Sequence, residues 1–348
     1  MRIVFLGFLV CCLSIQAKAQ LVYPKNIILV VVDGMGYGQL TAAAMEKGSD
    51  LNIYKMKYSG NVLQPESIPQ EYNVKANYIS SGTKTSGKAI GMDENDHILV
   101  NILEIAKEYK KSIGIISTAS IIYPSVASFY SHQKNYENEE KIAQDLFTFK
   151  PDFIAAGGMK YFSRGKGDDD LLRQFRKEGY KIIDNIRDLE KSNSRKTLAL
   201  LNNDHLMRSD ARGNFLETAW NKAFKMCIKN EPGYFILIEL PHIDWAARNN
   251  DTRYALEEVI DLDNMIGKIL LYTGNDKETL LVVVSNGDTG ALSHTGGSVQ
   301  GKRIEVNWSS KSPVPQMAPV FANGTGAELF SGVYTLDQIF VKLKTLIY

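Results

Sequence analysis

Cysteine and histidine are scarce in this chain, and their scarcity limits the chemistry it can perform. The 348 residues contain three cysteines, and both Cys11 and Cys12 lie in an N-terminal segment with the pattern of an export signal. Removal of that segment would leave Cys227 alone, which excludes an intramolecular disulfide in the mature protein. The five histidines are His97, His132, His205, His242 and His294. A metal site built mainly from imidazole or thiolate is therefore difficult to assemble from this sequence.

The chain also lacks a surplus of charge of either sign. Its formal net charge is +1, from 40 lysines and arginines against 39 aspartates and glutamates, and no long basic or acidic block occurs. Nucleic acid is therefore not an expected partner. A strongly acidic ligand would need a local binding site, because the protein as a whole does not attract anions.

The N-terminus predicts export. Arg2 precedes the apolar stretch Ile3–Ile15, and Ala17-Lys18-Ala19 fits a cleavage site before Gln20. The stretch is shorter than the roughly 20 residues that a membrane-spanning helix needs. We expect a signal over residues 1–19 and a mature chain over residues 20–348 without a membrane span, located in a bacterial periplasm.

Strand-like and helix-like segments alternate along the mature chain. Apolar runs rich in β-branched residues predict strands over Asn26–Asp33, Ser112–Ser117, Asp152–Ala156, Tyr234–Glu239, Thr279–Ser285 and Pro319–Ala322. Amphipathic segments predict helices over Gly38–Lys47, Ile98–Lys110, Glu139–Phe147, Asp168–Lys177, Asn214–Lys229, Thr252–Tyr272 and Leu336–Leu346. Such alternation predicts a three-layer α/β sandwich, with a mostly parallel sheet between helices. The more polar segment 160–214 is interpreted as a possible cap or insertion.

Three of the predicted strands deliver carboxylates at their carboxyl ends. Asp33 ends the first strand, Glu239 ends another with Asp244 shortly after it, and Asp288 follows a third. Because open α/β sheets bind ligands at this edge, we expect the four side chains to share a polar site. The alternative is that each one is an ordinary turn or cap residue. Clustered carboxylates without cysteine suit Mg²⁺, or Zn²⁺ where imidazoles join them.

Five groups of motifs occur in an informative order. They are Asn26–Gly36, Ser80–Thr85 with Ala89–Asp93, Ile102–Ala119, Glu231–Asp244 and Gly324–Gly332. Together they resemble the alkaline phosphatase family over nearly all of the mature chain. The resemblance implies that family's α/β sandwich fold and an ancestral activity of phosphomonoester hydrolysis, and it allows a homodimer.

The family's reaction uses a nucleophilic serine, a phosphate-binding arginine, two zinc ions and a magnesium ion. The resemblance implies that Asp33, Ser125 and Glu239 correspond to the magnesium ligands, with Asp33 shared with one zinc ion. Asp244 corresponds to one ligand of the leaving-group zinc ion. Asp288 lies one residue beyond the position of a further zinc-binding pair.

Several positions depart from the family pattern. Tyr72 stands where the family has its nucleophilic serine, and Tyr136 stands where it has its arginine. Tyr123 replaces an acidic residue beside the metals, and Arg248 replaces a zinc-binding histidine. Asn286-Gly287 replaces the pair Asp-His at the end of a strand. One Mg²⁺ site is therefore expected, whereas the two-zinc centre is not.

Two functions remain open. In the first, a phosphoester hydrolase survives with altered machinery: Arg248 contacts phosphate, Lys75 lies nearby, and Tyr72 acts as the nucleophile. A phenol titrates near pH 10 in solution, so Tyr72 would need strong activation.

In the second, the chain is a pseudoenzyme whose scaffold binds a small phosphorylated or polar ligand, or a partner protein. Tyr72, Tyr123 and Tyr136 would then line or fill the old active site, because tyrosine offers an apolar ring and a polar tip. His242 and His294 are secondary candidates for metal binding, with packing as the alternative role.

Overall fold

A computed structural model describes residues 22–64, 72–85, 87–163, 170–274, 276–298 and 303–347. The predicted signal at residues 1–19 and the side chain of Tyr72 lie outside the described part. Among the helices of the described residues, none combines the length and apolar character needed to cross a membrane.

One large sheet dominates the described chain. In order, the strands are β1 (Asn26–Val32), β2 (Tyr58–Leu63), β3 (Ser112–Ser120), β4 (Phe153–Gly157), β5 (Lys181–Ile183), β6 (Thr197–Leu200), β7 (Tyr234–Leu240), β8 (Thr279–Ser285), β9 (Asp288–Thr289), β10 (Leu292–Ser298), β11 (Arg303–Trp308), β12 (Pro313–Val314), β13 (Ala318–Gly324) and β14 (Gly332–Thr335). The large sheet has 10 strands in the order β14-β2-β13-β8-β1-β7-β3-β4-β6-β5. The strands from β8 to β5 are parallel, and β13 runs against both of its neighbours. The parallel strands therefore end at one common edge.

Strand β1 explains why the sheet is covered on both faces. All of its residues are buried. The alternate residues from Ile27 to Val31 pack in one apolar core, and those from Ile28 to Val32 pack in the other. Successive strand side chains point to opposite faces, so a continuous apolar run suits a strand buried on both. The prediction of a mostly parallel three-layer sandwich is confirmed.

Helices form the two outer layers. In order, they are α1 (Tyr37–Lys47), α2 (Tyr72–Ser81), α3 (Ile102–Glu108), α4 (Pro124–Ala127), α5 (Glu139–Phe149), α6 (Leu171–Lys177), α7 (Ile186–Lys191), α8 (Ser209–Arg212), α9 (Phe215–Cys227), α10 (His242–Arg248), α11 (Thr252–Thr273) and α12 (Gln338–Leu346). Helices α2, α3, α5, α6 and α12 supply residues to the first core. Helices α1, α7, α9, α10 and α11 supply residues to the second.

Every predicted strand and helix has a counterpart, although the ends differ. The largest difference is at α3, which was expected to begin at Ile98. The side chain of Asn101 accepts hydrogen bonds from the N–H groups of Leu103 and Glu104 and so fixes the helix start after itself. The strands β14 and β2 at one side of the sheet and the hairpin β10–β11 were not predicted, because their exposed residues interrupt the apolar pattern.

The described part of segment 160–214 continues the main sheet at one edge. Strand β6 pairs in parallel with β4, and β5 pairs in parallel with β6. Helix α6 packs its apolar residues in the first core and α7 packs Leu189 in the second. These contacts join the segment to the cores of the sandwich.

A buried ion-pair network joins α8 to α11. Arg212 donates to Glu258 at 2.9 and 2.6 Å and to Asp261 at 2.6 Å. The side chains of Arg212 and Glu258 are 3% and 4% exposed. Burial alone would raise the pKa of Glu258, but a hydrogen bond from His242 and the charge of Arg212 bring it down to about 2.

We predict that Glu258→Gln lowers the free energy of unfolding at pH 7 by about 3 kcal/mol, because the buried guanidinium of Arg212 loses a compensating charge. Folding depresses the pKa of Glu258 to about 2, so its stabilisation is complete above the pKa of an unfolded glutamate and is lost as the pH falls through about 2. The difference in the free energy of unfolding between wild type and Glu258→Gln should therefore become smaller as the pH is lowered to about 3. Urea denaturation at both pH values measures it.

Arg253→Gln is the matched control. Arg253 pairs with Glu257 at the surface, and its side chain is 83% exposed. Its loss should leave the unfolding curve unchanged, because exposed ion pairs contribute little. An equal effect of both variants, or a loss in Glu258→Gln that does not depend on pH, would contradict a structural role for the buried network.

Candidate active site at the carboxyl edge of the sheet

Four adjacent strands bring polar side chains together at the carboxyl edge of the large sheet. Asp33 directly follows β1, and Glu239 lies near the end of β7. Ser117 in β3 pairs with Glu239 in the strand register. Asn286 and Asp288 follow β8, and the N–H of Asn286 donates to the carbonyl at the end of β1 at 3.1 Å. The parallel topology thus places these residues at one crevice.

Two glycines after Asp33 allow further carboxylates to approach. A Cβ atom on Gly34 would lie 2.7 Å from the Cα and Cβ atoms of Asp244, and its φ of +78° favours glycine. A Cβ atom on Gly36 would lie 2.4 Å from the carboxyl carbon of Asp288. A side chain at either position would displace a carboxylate. The glycine turn is therefore the surface on which Asp244 and Asp288 rest.

Asp33, Ser125 and Glu239 form a buried polar group. Ser125 Oγ donates to Asp33 Oδ1 at 3.4 Å, and Ser117 Oγ donates to Glu239 Oε2 at 2.6 Å. Asp33 Oδ2 and Glu239 Oε1 are buried without a hydrogen-bond partner in the described part of the chain. Burial raises the pKa of both carboxyl groups, and the charges of Glu239 and Asp244 raise that of Asp33 further. Oxygens in this state favour a bound cation or proton.

Lys75 brings a buried positive charge to the same crevice. It lies in α2, three residues after Tyr72, and is 5% exposed. A Cβ atom on Gly287 would lie 2.5 Å from its Nζ atom, which places the ammonium against the turn after β8. Burial lowers the pKa of Lys75, while the charges of Asp244, Asp33 and Asp288 act in the opposite direction. Three carboxylates therefore share one built-in counter-charge.

Arg248 brings a second positive charge, directly onto Asp244. Its Nε atom donates to Asp244 Oδ2 at 2.7 Å, one turn apart on α10. Asp244 Oδ1 accepts a hydrogen bond from the hydroxyl of Thr289. Both oxygens of Asp244 are thus engaged by side chains of the protein. Its oxygens already have the charge and donors that a metal ion would otherwise supply.

Asp288 and Asn286 differ in their surroundings. Asp288 Oδ1 accepts a hydrogen bond from Gln39 at 3.2 Å, and burial raises the pKa of Asp288 to about 6. Asn286 donates through its amide to Asp33 Oδ1 and accepts from the N–H of Gly34 at 3.4 Å. An amide is neutral, so Asn286 orients Asp33 without adding a carboxylate to the crevice.

The two histidines considered for metal binding have other partners. His242 Nε2 bonds to the carbonyl of Thr118 at 3.1 Å, and its Nδ1 bonds to the hydroxyl of Tyr254 at 2.7 Å. His294 Nε2 bonds to the carbonyl of Gly38 at 3.0 Å. Within the described residues, no group of three or more His, Cys, Asp or Glu side chains is arranged to hold a metal ion.

Two of the tyrosines at the altered positions share one cavity. Tyr123 and Tyr136 line a cavity of about 440 Å³, whose wall continues into Pro124, the residue before Ser125. Tyr123 also accepts a hydrogen bond from the indole N–H of Trp245 at 3.2 Å. Tyr72 is the first residue of α2, and its side chain lies outside the described part. The cavity therefore adjoins the crevice in the chain, since Tyr123 and Pro124 directly precede Ser125.

Comparison with known proteins identifies the family of the chain. A model of the alkaline phosphatase family matches residues 24–334. This chain belongs to the alkaline phosphatase family. It is 27% identical over 317 residues to alkaline phosphatase 4 of Bacillus subtilis, covering 85% of this chain and 66% of that protein. It is 29% identical over 341 residues to alkaline phosphatase 3 of the same organism, covering 90% of this chain and 71% of that protein.

Solved structures show the same alkaline phosphatase fold. The enzyme from the Antarctic bacterium TAB5 superimposes with a TM-score of 0.85 at 29% identity, covering 94% of this chain and 99% of that chain. Two structures of variants of that enzyme hold Mg²⁺ at a site called M3. The fold implied by the resemblance is therefore confirmed.

Asp33, Ser125 and Glu239 of this family member fit a magnesium ion. Asp33 and Glu239 each have a buried oxygen without a hydrogen-bond partner among the described residues, and the hydroxyl of Ser125 lies beside Asp33. Carboxylate and hydroxyl oxygens are the ligands that Mg²⁺ prefers. When bound, Mg²⁺ would supply positive charge to these two carboxylates.

A pair of zinc ions does not fit. Catalytic zinc sites in proteins use about three protein ligands each, usually including imidazoles. Here Asp244 is engaged by Arg248 and Thr289, and Asp33 Oδ1 accepts from Asn286 and Ser125. The charges of Lys75 and Arg248 would repel a zinc ion brought close to them.

Sequence reasoning named the carboxylates of this crevice but missed the side chains that hold them, of which Ser117 and Gln39 are two examples. Ser117 as the hydrogen-bond donor to Glu239 depends on the pairing of β3 with β7, which single strands do not reveal. Gln39, which holds Asp288, comes from the first turns of α1. The apolar, β-branched run before Asp33 indicates a buried strand, and the helix that follows such a strand begins at this edge of the sheet. That signal could have pointed to Gln39.

We predict that Lys75→Met lowers the free energy of unfolding at pH 8 by about 3 kcal/mol, because the buried carboxylates lose their counter-charge. Folding raises the pKa of Asp288 to about 6 and also raises that of Asp33, so both favour the protonated form in the folded protein. The free-energy cost of ionising them in the folded state therefore grows as the pH rises through these pKa values. The decrease in the free energy of unfolding caused by Lys75→Met should therefore be smaller near pH 5 than at pH 8. Thermal unfolding at both pH values measures it.

The exposed residue Lys84 supplies the control. Its side chain is 52% exposed and pairs with Glu94 at 3.5 Å. Lys84→Met should change the free energy of unfolding by less than about 0.5 kcal/mol at either pH. A Lys75→Met variant as stable as wild type at pH 8 would show that the ammonium does not compensate the carboxylates.

Proposed function

We propose that this chain is an exported pseudophosphatase, an alkaline phosphatase fold that binds a small polar ligand and does not hydrolyse phosphomonoesters by the two-zinc serine route. The N-terminal pattern of Arg2, an apolar stretch and Ala17-Lys18-Ala19 supports export to the periplasm. The coarser relationship to phosphomonoester hydrolases rests on the family membership.

One observation supports the proposal: two cations of the protein, Lys75 and Arg248, lie against the carboxylates of the crevice. Lys75 is buried where the charges of Asp33, Asp244 and Asp288 act on it, and Arg248 bonds directly to Asp244. Two zinc ions would have supplied the nucleophile's activation and stabilised the leaving oxygen. Fixed ammonium and guanidinium groups do not bind a water or an alkoxide as a Lewis acid does, so that route is lost.

A single Mg²⁺ ion is the cofactor that the proposal retains. Asp33, Ser125 and Glu239 would hold it, since the two carboxylates each have a buried oxygen without a donor among the described residues. Its charge would stabilise the ionised forms of Asp33 and Glu239. The ion would then order the crevice next to the cavity at Tyr123.

A surviving hydrolase with altered machinery is the second candidate. The observation that favours it is Arg248, whose side chain is 26% exposed and so can contact a phosphoryl group while paired with Asp244. In that case Tyr72, at the serine position, would be the candidate nucleophile. The two candidates differ in one measurable property, which is metal-dependent turnover.

We predict that the mature protein shows no turnover of p-nitrophenyl phosphate above that of an Asp33→Ala variant. The assay covers pH 7 to 10 with added Zn²⁺ and Mg²⁺, because the proposal attributes the absence of turnover to the residues of the crevice and not to a shortage of metal ions. Turnover that is robust in wild type and abolished in Asp33→Ala would overturn the pseudophosphatase proposal. Retention of that turnover in Tyr72→Phe would then exclude Tyr72 as the nucleophile.

We also predict that the protein binds one Mg²⁺ per chain in a calorimetric titration. Glu239→Gln should weaken that binding by about tenfold or more, because metal affinity depends strongly on each charged ligand. The exposed residue Glu231 supplies the control, and Glu231→Gln should bind Mg²⁺ as wild type does. Equal affinities in the two variants would place the ion elsewhere.

A further inference from the structure

A second cavity lies at the opposite edge of the large sheet from the carboxylates. Its volume is about 520 Å³. Ser112, Phe153 and Thr197 line it, and they are the first residues of the neighbouring strands β3, β4 and β6. Because a strand rises about 3.3 Å per residue, Ser117 in the crevice lies roughly 16 Å further along β3. The cavity is therefore separate from the candidate active site.

Four cationic side chains line this cavity. Lys222, Lys225 and Lys229 come from α9 and the turn after it, and Arg195 comes from the loop before β6. Among the residues that the structure describes, no aspartate or glutamate lines it. We call it the basic cavity. The chain as a whole is nearly neutral, so this concentration of positive charge is a local feature.

The spacing of the lysines directs them to one side of α9. Lys222 and Lys225 are three residues apart, and Lys229 follows four residues later. Residues three and four apart share one face of a helix. Lys222 is half-buried and donates through Nζ to the carbonyl of Ser192 at 2.9 Å, whereas Lys225 and Lys229 are exposed. Lys222 thus joins α9 to the loop that carries Arg195.

The two lysines within α9 act against each other. Burial lowers the pKa of Lys222, and the charge of Lys225 acts in the same direction, while the charge of Glu190 opposes it. Like charges at this helix spacing are destabilising. An anion bound between these ammonium groups would offset their repulsion.

Two carboxylates that lie near parts of this lining have donors of their own. Asp152 Oδ2 accepts hydrogen bonds from Ser112 Oγ at 3.0 Å and from the N–H of Ile113 at 2.8 Å. Glu190 accepts a hydrogen bond from the amide of Asn214 at 3.2 Å. Neither carboxylate lines the basic cavity. A ligand inside it would therefore face the cations directly.

The end of α9 explains part of the positive charge. The carboxyl end of a helix carries the equivalent of about half a negative charge, which a basic residue in the last turn offsets. Lys225 occupies that last turn. One lysine is enough for this role, whereas the basic cavity also brings in Arg195 from a different segment. The convergence of two segments favours a ligand site over helix capping alone.

The size and the neutral groups of the basic cavity suit a small phosphorylated ligand. Asn193 and Ser194 also line it, and their amide and hydroxyl groups are hydrogen-bond donors. A volume of about 520 Å³ is within the usual range of small-molecule sites. Guanidinium and ammonium groups are ordinary partners of phosphate oxygens. Several cations around one cavity suit a ligand with more than one phosphate group.

We propose that the basic cavity binds a small anion carrying two or more phosphate groups, with Arg195, Lys225 and Lys229 as its charge partners. The inference does not rest on the proposed function, because the basic cavity shares no residue with the crevice at Asp33. It is the kind of local site that a strongly acidic ligand requires on a nearly neutral protein.

Three anions test the preference for several phosphate groups. The mature protein is titrated calorimetrically with tripolyphosphate, inorganic phosphate and citrate at pH 7.5, in low-salt buffer freed of metal ions. Tripolyphosphate should bind one per chain and at least about tenfold more tightly than either of the others, since its phosphate groups reach several cations at once. No binding of tripolyphosphate at millimolar concentration, or equally tight binding of citrate, would overturn the proposal.

Charge-removing variants locate the site. Lys225→Gln and Lys229→Gln change exposed side chains, and each should weaken tripolyphosphate binding by about fivefold or more. Lys277 is the matched control: it is exposed at the same edge of the sheet, before β8, and does not line the basic cavity. Lys277→Gln should bind as wild type does. Equal effects of the three variants would show that tripolyphosphate responds only to overall charge and would overturn the proposal.

Two further measurements separate this site from folding and from the crevice. Tripolyphosphate should raise the midpoint of thermal unfolding of wild type, and it should do so less in Lys225→Gln, whose own midpoint without the anion should match that of wild type. Arg248→Gln should retain tripolyphosphate binding. Loss of binding in Arg248→Gln together with its retention in Lys225→Gln would place the anion in the crevice and overturn the proposal. Turnover of p-nitrophenyl phosphate tests the pseudophosphatase proposal alone.

Discussion

The structure depends on how it compensates four carboxylates at one end of a buried sheet. Asp33, Glu239, Asp244 and Asp288 are each no more than 3% exposed, and such groups are costly to ionise without partners. Alkaline phosphatases use metal ions for this purpose, according to the resemblance described above. In this chain Lys75 and Arg248 supply part of the positive charge, and Asn286 and Thr289 supply neutral hydrogen bonds.

The proposed substitution of tethered cations for metal ions connects the fold to the proposed function. The sandwich and its glycine turn at Gly34 and Gly36 still bring the carboxylates together. Among the residues that the structure describes, zinc ions that would drive phosphoryl transfer find no complete set of ligands there. What remains is a polar crevice with one candidate Mg²⁺ site, Asp33–Ser125–Glu239, next to a cavity lined by tyrosines. A binding role makes use of these remaining features.

Sequence alone predicted the sheet and the carboxylates that meet at its carboxyl edge, because both leave local signals. A continuous apolar run such as Asn26–Val32 indicates a strand buried on both faces, and the acid after it marks the edge. The strands β14 and β2, the partner of Glu239 and the lining of the cavity at Tyr123 left no such signal. They depend on which distant segments pack together, as Ser120 and His205 do through a single hydrogen bond between residues 85 positions apart.

The most direct test of the central claim is a crystal structure of the mature protein grown with excess Zn²⁺ and Mg²⁺, with anomalous diffraction data collected at the zinc absorption edge. The account predicts no zinc peak between Lys75 and the carboxylates of Asp33, Asp244 and Asp288, with Arg248 still bonded to Asp244. It also predicts density for one light ion between Asp33 and Glu239. Two zinc peaks in the crevice, with Lys75 and Arg248 turned away, would contradict it.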